Sequence, residues 1–179
     1  MLTAKDSLFV VIDVQGKLAE AMCDRTELFE NICRLAKSAK LLGIPVLVTE
    51  QLPDKLGPTR KEIADSLTEA PLITKSSFSC CGEPKFIEAL KSSGKKQIVL
   101  CGIEAHICVT QTALELLAQG FDVYLTADAV SSRNPNNKHL AIERMRHHGA
   151  EILTTEMALF EWLRDAAHPA FREVRKLLA

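Results

Sequence analysis

The sequence predicts an α/β protein, a three-layer α/β/α sandwich built on a six-stranded parallel sheet. Three observations predict it. Short β-branched runs alternate with longer segments of helical period along the whole 179 residues. The connections between them are short, which in a repeated strand–helix alternation favours parallel strands joined by crossovers. The run LFVVIDV (8–14) is apolar almost without interruption, as expected of a strand covered on both faces.

The elements follow in order. After the strand at 8–14, residues 26–42 set Leu28, Phe29, Ile32, Leu35, Ala36, Ala39 and Leu42 near one helical face, and Gly43 ends that helix. PVLVTE (45–50) reads as a second strand. QLPDKLGPT is a loop rich in turn residues, followed by a short helix around 59–67, and PLITK (71–75) is a third strand. A helix opens at Pro84 and ends near Gly94, QIVLCGI (97–103) is a strand, and a helix over 107–118 closes at Gly120. FDVYLTADAV (121–130) is a strand, 135–148 a helix closed by Gly149, and EILTT (151–155) the last strand. A helix over 158–165 and a helical tail from Pro169 complete the chain. Right-handed crossovers give a doubly wound, Rossmann-like sheet of order 3-2-1-4-5-6. No linker, repeat or low-complexity segment divides it, so residues 1–179 read as one domain.

Composition narrows the partners. Apolar residues make up 47% and charged residues 25%, and 22 basic against 23 acidic residues leave a net charge of −1. With no basic stripe, nucleic acid is not an expected partner. LFVVI is too short for a membrane span or the apolar core of a signal peptide, so no membrane partner and a cytoplasmic location are expected. The six cysteines lack the paired spacing of a zinc site, and a chain of this size does not need a disulfide scaffold. The glycine-rich turn of a dinucleotide site is missing after the first strand, where the sequence is IDVQGKLAE. The sequence thus points to no cofactor.

Ligands of such sheets bind beyond the carboxyl ends of the strands, where the strand order reverses, here between strands 1 and 4. Asp13 ends strand 1 inside an otherwise apolar run and needs a hydrogen-bond or cationic partner there. Cys108 follows strand 4 at the start of a helix, where the helix dipole favours thiolate and free backbone N–H groups can bind an oxyanion. Read alone, Asp13 is also explained as a loop-anchoring carboxylate and Cys108 as a small buried hydrophobe. Their shared place at the crevice favours chemistry.

IDVQ with Asp13, ITKSSFS with Lys75, and GIEAHICVTQTALELLAQGFDVYLTADAVSSR with Cys108 together resemble the isochorismatase-like cysteine hydrolases. The resemblance covers nearly the whole chain. That superfamily includes isochorismatases, nicotinamidases and N-carbamoylsarcosine amidases, and the isochorismatase domain-containing branch is the most similar, on GIEAHICV and TEQLPDKLGPT. The resemblance implies Cys108 as nucleophile, Asp13 as the base that takes its proton, and Lys75 as an electrostatic support that lowers the thiol pKa. It also implies a non-proline cis peptide between Ile103 and Glu104, which turns the Glu104 amide toward the pocket to form an oxyanion hole with that of Cys108. Gln15, Gln51, Phe78 and Ala105 would line the substrate pocket. Because strand 3 is distant from strand 4, the Lys75 loop would have to fold across the crevice.

The sequence departs from the nicotinamidase pattern. Those enzymes place an Asp-x-His metal motif after strand 2, whereas this chain has VTEQLPDKLGPT there and no histidine before His106. No metal site is expected. The resulting expectation is a hydrolase of a small molecule, cleaving an amide-type C–N bond through a Cys108 thioester. Isochorismatase-type hydrolysis of a vinyl ether is the alternative within the family, and a non-catalytic scaffold or binding member the alternative of another class. Family members usually self-associate, so a homo-oligomer is expected, with the C-terminal helices as candidate contacts.

Overall fold

The computed structural model describes residues 1–67 and 69–178. Its centre is a six-stranded sheet in the order β3-β2-β1-β4-β5-β6, every pair parallel. The strands are β1 (Ser7–Ile12), β2 (Val46–Gln51), β3 (Leu72–Lys75), β4 (Gln97–Ile103), β5 (Asp122–Ser131) and β6 (Glu151–Leu153). The helices are α1 (Gly16–Glu20), α2 (Arg25–Leu41), α3 (Pro53–Leu56), α4 (Lys61–Ala64), α5 (Pro84–Ser93), α6 (Thr110–Ala118), α7 (Pro135–His147), α8 (Thr155–Leu163) and α9 (Phe171–Leu178). Order and layering are as the sequence predicts. None of these helices is long and apolar enough to cross a membrane.

The continuous apolar strands are explained by two cores, one on each face. Phe9, Val11, Val48, Val99 and Ile103 pack with α2, α8 and α9, while Leu8, Val10, Ile12, Leu47, Ile98 and Leu100 pack with α5, α6 and α7. Successive side chains of a strand point to opposite faces, so a central strand must be apolar at every position. Each fully buried aliphatic or aromatic side chain contributes about 1.5–3 kcal/mol of transfer free energy.

Three departures from the predicted elements bear on the site. Strand β1 stops at Ile12 rather than reaching Val14, because Asp13 takes a left-handed conformation with φ 51°. The expected helix over 107–118 begins as a π-helical turn over Ala105–Val109 before α6. The last strand ends at Leu153, since the Thr154 hydroxyl caps α8 by accepting from the Met157 amide at 3.2 Å.

Candidate active site

The carboxyl ends of β1, β2, β3 and β4 meet at Asp13. Its amide donates to the Thr49 carbonyl at 3.1 Å, which holds the residue beside β2 after it has left β1. Its carboxylate is gripped at both oxygens: Oδ2 accepts from Lys75 Nζ at 2.6 Å and Oδ1 from Thr49 Oγ1 at 2.7 Å. The Asp13 and Lys75 side chains are both buried, so the pair is desolvated and each charge depends on the other.

Lys75 reaches Asp13 without the loop crossing the sheet. It is the last residue of β3, two strand spacings or about 10 Å from β1, and the two side chains span the gap over β2. Alternation makes this possible, because Ile73 and Lys75 are the buried residues of β3 and share one face. The ammonium donates its other protons to the carbonyls of Ser77 (3.0 Å) and Phe78 (3.1 Å). All three of its donors are committed, and Lys75 stands as a fixed charge.

Cys108 lies in the π-helical turn, almost fully buried. Its thiol donates to Gln51 Oε1 at 3.4 Å, and the Asp13 carboxylate is a charged neighbour close enough to act on its protonation. Burial, followed by the Asp13 charge, pushes its pKa up to about 12, and Lys75 only partly offsets them. The resting group is therefore a thiol. This reverses the thiolate expected from the helix start and the lysine, because desolvation and a carboxylate neighbour outweigh both.

The peptide bond between Ile103 and Glu104 is cis. The buried Glu104 carboxylate accepts from the Arg133 amide (3.0 Å) and Nε (3.1 Å) and forms an ion pair with Nη2 at 3.1 Å, which ties the loop after β5 to the cysteine turn. Ala105 is fully buried, and its carbonyl accepts from Thr110 Oγ1 at 2.6 Å. His106 contacts the Ser132 hydroxyl at 2.9 Å through Nδ1.

The residues expected to line the pocket are placed differently from one another. Gln51 bonds the thiol and donates from Nε2 to the Ser76 carbonyl at 3.2 Å. Phe78 is exposed at the same end of the sheet. Gln15 is fully buried with its amide committed: Nε2 donates to the carbonyls of Gln51 (3.2 Å) and Gly57 (2.7 Å), and Oε1 accepts from the Gln51 amide at 2.7 Å. It braces Gln51 and the loop after β2 rather than presenting a polar group to a ligand. Glu50 likewise secures that loop, its Oε1 accepting from Thr59 N (2.6 Å) and Oγ1 (2.7 Å). Sequence reasoning missed Thr49. The signal was the alternation of β2, which puts residue 49 on the same strand face as Gln51. Among the described residues, no group of three or more His, Cys, Asp or Glu side chains is placed to share a metal ion.

Comparison with known proteins establishes the family. Residues 7–157 match the isochorismatase domain. Isochorismatase domain-containing protein 2 of Danio rerio is 41% identical over 180 residues, covering 99% of this chain and 89% of that protein. The MAR1 ribonuclease structure from Caenorhabditis elegans superposes with a TM-score of 0.94 at 36% identity, covering 99% of this chain and 91% of that one. YcaC, described in Escherichia coli as an octameric hydrolase of unknown specificity, superposes with a TM-score of 0.89 at 26% identity over 99% of this chain and 94% of that one. YcaC from Pseudomonas aeruginosa, solved with covalent acrylamide, gives the same score and identity over 99% and 96%. The chain belongs to the isochorismatase family.

Proposed function

We propose that this protein is a cysteine-dependent hydrolase of a small molecule, cleaving an amide-type C–N bond with Cys108 as nucleophile, Asp13 as acid and base, and Lys75 as fixed electrostatic support. One observation carries the reading: a buried carboxylate, paired with a buried ammonium at 2.6 Å, lies close enough to the thiol of Cys108 for its charge to raise the thiol pKa. A thiol held up to about 12 needs a base at the moment of attack. Asp13 takes the S–H proton as sulfur bonds to the carbonyl carbon, and the amides of Glu104 and Cys108 receive the developing oxyanion. The protonated Asp13 gives that proton to the departing amine, leaving a thioester. Water then attacks the thioester, again losing a proton to Asp13, and the thiol is restored as acid leaves. Lys75, with no free donor, stands as a fixed positive charge beside Asp13 throughout. Gln51, Phe78 and Ala105 surround the substrate, and Gln15 acts through Gln51.

Covalent acrylamide in P. aeruginosa YcaC supports a reactive nucleophile in this family, and octameric YcaC supports self-association. A second reading, cleavage of RNA, is favoured by the similarity to the C. elegans protein named a ribonuclease. The net charge of −1 and the carboxylate beside the thiol count against a polyanionic substrate. The test is a screen of small amides, ureas, nitriles, isochorismate and labelled RNA against the wild type and Cys108→Ala. Turnover of a C–N substrate that Cys108→Ala loses by at least about a thousandfold, with unchanged folding, is the expected result. Near wild-type turnover by Cys108→Ala would remove the cysteine mechanism, and turnover of RNA alone would replace the amide reading.

A further inference from the structure

The roles proposed for Asp13, Lys75 and Cys108 leave two buried polar neighbours without a task. Thr49 is fully buried, and its hydroxyl stands 2.7 Å from Asp13 Oδ1. Cys80 is fully buried behind it, its thiol donating to Thr49 Oγ1 at 3.8 Å. We propose that Thr49 is a positioning residue of the cysteine centre, holding Oδ1 of Asp13 while Lys75 holds Oδ2, so that the carboxylate meets Cys108 in one orientation. The inference rests on Asp13 being the base that takes the Cys108 proton.

Asp13 has left β1 with φ 51°, so the strand ladder no longer sets where its side chain points. Thr49, paired in register with Ile12, grips it twice: the Thr49 carbonyl accepts the Asp13 amide, and the Thr49 hydroxyl donates to the carboxylate. A threonine hydroxyl has one proton, and its direction must be chosen. Cys80 makes that choice. Burial pushes its thiol up to about 11, so across neutral pH it is a donor to Thr49 Oγ1, and the Thr49 proton goes to Asp13. The Cys80 amide in turn donates to Thr112 Oγ1 at 2.9 Å, and Thr112 lies one turn beyond Cys108. The segment 80–82 thereby links the support of the base to the helix that carries the nucleophile.

A donor to the ionised carboxylate favours the charged form, and losing it favours protonation. The experiment compares wild type, Thr49→Val, Thr49→Ser, Cys80→Ala and Asp13→Asn. It reads the rate of Cys108 modification by acrylamide from pH 4 to 9, by peptide mass spectrometry, together with thermal unfolding. Valine keeps the shape and removes the donor. For Thr49→Val we expect the low-pH limb of the rate to move up by about one pH unit and the plateau to fall about tenfold. Thr49→Ser should restore both. Cys80→Ala should shift the limb the same way by less, and serves as the readout if the valine variant does not fold. A changed melting temperature with an unmoved pH profile in both Thr49→Val and Cys80→Ala, while Asp13→Asn loses the rate, would overturn the positioning role alone. An Asp13→Asn variant as fast as wild type would instead remove Asp13 as the base.

Discussion

Cys108 and Cys80 illustrate how burial sets the protonation of a thiol. Both sit against the Asp13–Lys75 pair, yet desolvation is the largest influence on each, pushing Cys108 up to about 12 and Cys80 up to about 11. This has a consequence for stability. In the unfolded chain a cysteine titrates near 9, so above that pH the unfolded state releases protons that the folded state keeps. Stability linked to Cys108 is therefore complete below about pH 9 and is lost as pH rises from 9 toward 12. Between pH 8.5 and 10.5 the loss should be about 1–2 kcal/mol for this thiol. Urea unfolding of wild type and Cys108→Ala checks it, because other groups titrating in that range are common to both. An equal loss in the two proteins would show that Cys108 is not held protonated. Legibility differed from residue to residue at this centre. Asp13 stands out as a lone charge in VVIDV, and Cys108 by its place after strand 4. Lys75 carried no signal of its own and was identified by resemblance alone, because lysines are abundant and its partner is 62 residues away. Thr49 was passed over because a threonine in a strand is ordinary.

At the scale of elements, the crevice depends on how closely β1 and β4 approach. Gly102 lies opposite Ile12 where the pairing of β4 with β5 shifts register, and it has φ 116°. A Cβ at this position would stand 2.1 Å from the Ile12 carbonyl oxygen, which is backbone and cannot move aside. The conformation and the contact both demand glycine. Gly102→Ala should cost more than about 3 kcal/mol, or prevent folding. Gly43 is the control: its φ is 67°, but nothing lies within 4 Å of an added Cβ, so Gly43→Ala should cost only about 1 kcal/mol. Equal melting temperatures for the two variants would contradict the close approach. Strand order and helix layering could be read in advance because hydrophobic period and short connections are local signals. The end of β1 at Asp13 could not, since it goes with tertiary hydrogen bonds to Thr49 and Lys75 that the local pattern does not encode, and the five-residue π-helical turn at Ala105–Val109 is too short to show a period of its own. The short α1 and α3 were missed for a related reason, having too few residues to show a period.

At the scale of the whole molecule, the question is what one copy leaves uncovered. Its accessible surface is 8659 Å² for a mass of 19.7 kDa. The scaling for folded monomers of that mass gives about 8,600 Å², so one copy is closed without a partner. A partner copy, where one binds, would meet surface apolar groups rather than an unfinished core. Met157 and Phe160, one turn apart on α8, are 47% and 42% exposed, and Met1 is exposed beside them. The Phe160 ring packs edge-on against Phe171 at 6.3 Å, which fixes it by contact with α9. A rigid aromatic beside Met157 of α8 and the N-terminal Met1 is the composition of an interface core rather than of a solvated face. We expect the wild type to be a homo-oligomer by light scattering at micromolar concentration, and Met157→Glu with Phe160→Glu to dissociate it while keeping the melting curve of a folded chain. Charges placed there must be desolvated on association, so the expected loss of affinity is at least a hundredfold. A monomeric wild type would remove the expectation of assembly. An oligomer indifferent to both substitutions would keep the assembly and move its contacts away from α8.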